Sequence, residues 1–190
     1  MTRWFFLILL CFVASAEAEQ YWPQWRGPLA TGVAPDATPP VEWGEGKNIR
    51  WKTQVPGRGH STPIVWGDLV FVTAAVPYGE ALEPIYDQAP GSHDNVPVTR
   101  HVDFVVMAFS RQDGKMVWRR SVHKALPHAG GHYTGSLSSA SPVTDGDRLY
   151  AFFGSYGLYC LTLEGTLLWQ KDLGRMQTKH GHGEGASPAL

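Results

Sequence analysis

"SASPVTDGDRLYAFFGSYGLYCLTLEGTLLW", Ser139 to Trp169, decides the fold. Pro142 cannot donate to a β-ladder, but a strand tolerates proline at its first residue. "DGD", Asp145 to Asp147, supplies a tight turn. "RLYAFFG" then reads as a second strand, "SYG" turns into "LYCLTL", and Glu164-Gly165 turns into "LLW". The result is four short strands joined by hairpins, closing on Trp169. The same order occurs earlier. "STPIVWGDLVFV" starts at Ser61 with its turn at Trp66 to Asp68, "DFVVMAFS" follows, and Asp113-Gly114 turns into "MVW", ending at Trp118. A third copy starts at "ASPAL", Ala186 to Leu190.

The spacing of these copies sets the architecture. Thr62-Pro63, Ser141-Pro142 and Ser187-Pro188 lie 79 and then 46 residues apart. The shorter interval is that of one four-stranded propeller blade, about 40–50 residues. The longer one is a blade plus an insertion, Val76 to His101, which carries Pro77, Pro84, Pro90 and Pro97 and no strand period. A loop of that length is either functional or disordered. A four-stranded sheet with two apolar faces must stack on like sheets, and radial closure protects its edges. The expected fold is all-β: a partial β-propeller of four-stranded antiparallel blades, about two complete and the start of a third. Closed propellers need about 4–8 blades, so the chain reads as a fragment of a longer protein. Trp118 and Trp169 are expected to dock flat across the seams between blades, both buried in equivalent places.

Composition agrees and narrows the function. The 190 residues carry a formal net charge of -1, with 21 glycines, 14 prolines and 8 tryptophans. Near-neutral charge excludes the basic face that nucleic-acid binding needs. "MTRWFFLILLCFVASAEAEQ" places Arg3 before an apolar run and small residues at Ala14 to Ala18, the pattern of an export signal. The run is too short to span a bilayer. Removal of residues 1–18 would leave a periplasmic or secreted protein with no stable membrane span. Its only cysteine would be Cys160, in the alternating strand "GLYCLTL", where a buried thiol is expected. Residues 19–49 read as an N-terminal extended segment and 50–190 as the repeats. One blade covers about 61–122, with its insertion at 76–101. The second covers about 139–172, and the third begins at 186–190.

"VMAFSRQDGKMVW" (Val106 to Trp118) and "LYCLTLEGTLLW" (Leu158 to Trp169) resemble the repeat of pyrroloquinoline-quinone (PQQ)-type propellers. "YWPQWRGP" (Tyr21 to Pro28) and "GHGEGASPAL" (Gly181 to Leu190) are similar to segments of exported bacterial members. The resemblance implies the propeller fold. For function it implies two classes, because the repeat builds PQQ enzymes and also BamB-like scaffolds of outer-membrane assembly. A dehydrogenase would need PQQ, calcium and a carboxylate base. No adjacent cysteine pair and no assignable calcium-ligand set occur in these residues. The expectation is therefore a non-catalytic exported module with a protein or polymer partner in the cell envelope. The PQQ- and calcium-dependent dehydrogenase is the alternative.

Candidate ligand-face residues lie in two Gly-rich connections. "HKALPHAGGHYTG" holds His123, His128 and His132, and "KHGHGEG" holds His180, His182 and Glu184. His128, His132, His180, His182 and Glu184 are the candidates. Imidazoles converging on one rim could bind a ligand or a transition metal. Their spacing matches no closed zinc pattern, so no metal ligand is assigned from it. Solvated loop residues are the plainer reading. The insertion acids Glu80, Glu83, Asp87 and Asp94 lack EF-hand spacing, and "GRGH" (Gly57 to His60) lacks the ending of a phosphate loop.

Overall fold

Turn chemistry divides the chain into eight strands. In the computed structural model, which describes residues 21–190, β1 (Ile64–Trp66), β2 (Leu69–Tyr78), β3 (His101–Ser110) and β4 (Met116–Ala125) form one antiparallel sheet in chain order. β5 (Val143–Thr144), β6 (Arg148–Phe152), β7 (Leu158–Thr162) and β8 (Leu167–Lys171) form a second with the same order. The architecture is all-β, two four-stranded blades of a partial propeller. β1 and β5 each begin directly after a proline, Pro63 and Pro142. The expected export signal at 1–18 lies outside the described residues.

The first blade reaches further than its sequence pattern suggests. Val76, Pro77 and Tyr78 pair with Asp103, Val102 and His101, so the free loop runs only over 79–100. Pro77 is tolerated for a reason of parity. Ala75 exchanges both backbone hydrogen bonds with Arg58, at 2.9 Å each, and so turns its N–H away from β3. Pro77 shares that parity, and its missing N–H leaves the β2–β3 ladder intact.

The core lies in the seam. Phe71, Phe104 and Val106 of the first sheet and Leu149, Phe153 and Leu161 of the second form one buried cluster. Alternation sends Ala74, Val105, Met107 and Phe109 to the other face of the first sheet, where they are buried too. Both faces of β3 are thus covered, whereas every residue of β8 is exposed. Cys160 is a free, buried thiol of β7, and burial raises its pKa.

Two devices repeat from copy to copy. The Ser141 hydroxyl accepts the Thr62 N–H, and the Ser187 hydroxyl accepts the Ser141 N–H, both at 2.9 Å. Each Ser/Thr-Pro start is thereby tied to the next. Residues 186–190 carry this bond but no strand. The second device uses tryptophan. Trp51 Nε1 donates to the Arg111 carbonyl and lies over Gly114, and Trp118 Nε1 donates to the Leu163 carbonyl and lies over Gly165, both bonds at 2.9 Å. Gly114 and Gly165 have φ of 71° and 86°, and any Cβ there would collide with the indole. Trp169 departs from expectation. It is 42% exposed and touches the Tyr150 ring at 6.1 Å. Among the described residues no sheet follows β8, so Trp169 has no turn to dock on.

The chain before β1 braces the inner edges. Trp22 bridges to Val65, and the Pro23 carbonyl accepts the Thr144 N–H, so residues 22–23 join β1 to β5.

Candidate functional site

Hairpin geometry separates two rims. The tight turns at Gly67, Gly114, Gly146 and Gly165 sit at one end of the sheets, with the docked tryptophans. The β2–β3 loop, the β4–β5 connection and the segment after β8 gather at the other. The insertion is ordered there. Leu82 N–H donates to the Thr99 carbonyl at 2.8 Å, and Ile85 and Val98 exchange bonds at 2.9 Å. It is also laced to the β4–β5 connection. Val96 N–H donates to Gly131 at 2.9 Å, and Tyr133 N–H donates to Asp94 at 3.0 Å.

A cavity of about 540 Å³ opens between these three loops. Tyr86 and Asp87 come from the insertion, His128 from the β4–β5 connection, and Arg175 and Glu184 from the last segment. Its floor is the seam itself. Tyr156 stacks on Phe104 with ring centroids 4.4 Å apart, and Phe153 meets Phe104 edge-on at 5.4 Å. His128 of the β4–β5 connection rests on Tyr156, and Glu184 of the last segment bonds the neighbouring Ser155, so the packed blades position these polar groups.

The five candidate residues take different roles. The His128 Nδ1 lies 3.0 Å from the Tyr156 hydroxyl, which also accepts the His128 N–H at 3.0 Å. Burial, helped by Arg175, lowers the His128 pKa below its ordinary value, so it is neutral at pH 7. Burial raises the Tyr156 pKa. Glu184 is a strut. Its carboxylate accepts both the N–H and the hydroxyl of Ser155 at 2.5 Å, and the Ser155 hydroxyl accepts the Met176 N–H at 2.7 Å. His132, His180 and His182 do converge, at the edge of the cavity. The His132 and His182 rings are 4.8 Å apart, and those of His180 and His182 are 5.5 Å apart.

Sequence reading missed the fourth member of that group. His93 of the insertion lies 4.8 Å from His182 and 5.4 Å from His180, ring to ring. Asn95 was missed as well; its Nδ2 donates to the His180 carbonyl at 2.8 Å. Only the residue type of His93 could have flagged it. Among the insertion acids, Glu80 and Glu83 are exposed, and Asp87 Oδ1 accepts the Ala89 N–H at 2.6 Å within its own loop. His123 stays in β4, packed near Phe104 and Tyr156. The Arg58 of "GRGH" donates to the Tyr133 carbonyl and takes no part in a phosphate-type loop.

Residues 41–186 match the family model described as outer membrane protein assembly factor BamB. The match covers well over half of the chain and includes both sheets. No curated protein matches the chain. Among the described residues, no helix is long and apolar enough to cross a membrane.

Proposed function

We propose that this chain, which belongs to the BamB-type outer membrane assembly factor family, is an exported, non-catalytic binding module that holds a protein partner of the cell envelope on its loop-lined rim. The observation that carries the reading is the cavity of about 540 Å³ between three cross-laced loops, at the rim away from the docked tryptophans. The docked tryptophans close one rim with tight turns, and the other carries the long loops, where binding residues of a scaffold tend to lie. The polar groups of the cavity support binding rather than turnover. Glu184 gives its carboxylate to Ser155, and His128 keeps Tyr156. They hold loops in place, leaving Tyr86 and Arg175 as exposed contacts. The family description supports a protein partner, and the N-terminal pattern supports export.

Site-specific photo-crosslinking in producing cells tests this. A crosslinking residue at Tyr86 is expected to capture a discrete envelope protein, and one at Lys115 on the opposite rim is not. Equal capture from both positions would overturn the reading. So would turnover of alcohols by the purified protein supplied with PQQ and calcium.

A further inference from the structure

Three loops that are remote in sequence bring four imidazoles together, with the Asp87 carboxylate packed against Gly181 beside them. His93 comes from the insertion, His132 from the β4–β5 connection, and His180 and His182 from the segment after β8. Four of their ring-to-ring separations lie at 4.8, 4.8, 5.4 and 5.5 Å. Imidazoles on one tetrahedral ion, with metal–nitrogen bonds of about 2.0–2.1 Å, have ring centres about 5 Å apart.

The hydrogen bonds carry the case further. Among the described residues, the buried side-chain polar atoms without a partner are Asn95 Oδ1, His180 Nδ1 and His182 Nε2, and all three lie in this group. Buried polar atoms are nearly always satisfied, so such a concentration asks for a missing partner. The other two rings are held from behind. His93 Nδ1 lies 2.8 Å from the Gly91 carbonyl, and His132 Nδ1 lies 2.7 Å from the Thr134 hydroxyl and accepts the Thr134 N–H at 3.3 Å. A carbonyl takes only a proton, so His93 carries its proton on Nδ1 and leaves its Nε2 lone pair free, the arrangement of a metal-bound histidine that donates from its other nitrogen. His132 has its Nδ1 lone pair engaged and joins an ion only when that bond gives way. The backbone at His180 is held left-handed, with φ of 59°, and Asn95 grips its carbonyl.

We propose that His93, His132, His180 and His182 form a binding site for one first-row divalent transition metal ion of the zinc class, which fastens the insertion to the two connections. Imidazole donors without carboxylates suit such ions and not calcium or magnesium. Among the described residues no three donor side chains already form an ion cage. Closure needs rotation of the rings about their side-chain bonds. This assignment is independent of what the rim binds.

The test is titration of the metal-free full chain with Co²⁺, read by its visible d–d absorption. A band saturating at one ion per chain, displaced by Zn²⁺ and indifferent to Ca²⁺, is expected, together with a higher Tm. His182→Asn should remove the band. His93→Gln changes an exposed loop residue and decides the matter if the His182 variant does not fold; it too should lose tight binding. Absence of a saturable band would overturn the proposal and leave bridging water as the missing partner. Non-saturating uptake of several ions, or a band unchanged by His93→Gln, would overturn it too.

Discussion

His128 shows how a single side chain reports on the rim. Burial first, and Arg175 second, push its pKa below the ordinary 6.5. As pH falls below about 6.5, the unfolded chain takes up this proton before the folded one does. The stability tied to neutral His128 is therefore complete above 6.5. It declines as pH drops from there to the lower folded pKa, and is flat beneath. Thermal unfolding between pH 7.5 and 5 is expected to show a falling Tm, with a shallower fall in His128→Gln. An identical fall in that variant would show that His128 is not held neutral. The sequence displays histidines as residue types, so His128, His132, His180 and His182 could be named from it. What each one touches depends on loops that meet only after folding. His93 was therefore invisible as a member, and the bond of Glu184, a cavity-lining residue, to Ser155 could not be foreseen.

At the scale of strands and turns, far more was legible. Asp-Gly and Glu-Gly pairs, prolines and alternating apolar residues mark strand starts and stops chemically, and the strands fall where these signals put them. The exceptions are the ends of β2 and β3, where Pro77 argues against a strand but its absent N–H faces away from the partner, and β4, which runs past Trp118 to Ala125. The tryptophans divide for a similar reason. Trp118 and Trp169 stand third in β4 and β8, yet among the described residues only Trp118 meets a following turn. Trp118→Ala is expected to lower stability by about 3 kcal/mol, near the low end for large core truncations because the indole is only partly buried. Trp169→Ala, at a side chain 42% exposed, should lower it by about 1 kcal/mol or less. Urea unfolding of the two variants measures the difference; equal losses would mean that the docking on Gly165 contributes nothing.

At the scale of the whole molecule, the two blades are one unit repeated, with tight turns at one end and long loops at the other. The tryptophan over the next blade's glycine and the serine hydroxyl on the preceding N–H are both copied from repeat to repeat. This periodicity was readable because it is written in spacing. The cavity and the place of His93 in the histidine group were not, because they depend on the insertion, which shares no spacing with the repeats. The central claim is that the sheets face each other through the seam with Trp118 on the turn at Gly165. A double-mutant cycle of Trp118→Ala and Gly165→Ala tests it most directly. Backbone strain at Gly165, with φ of 86°, is common to both arms and cancels. The account predicts that Gly165→Ala is damaging with Trp118 present and milder without it, a coupling of about 1–3 kcal/mol in urea unfolding. Additive losses, with no coupling, would contradict the packing of one blade on the next.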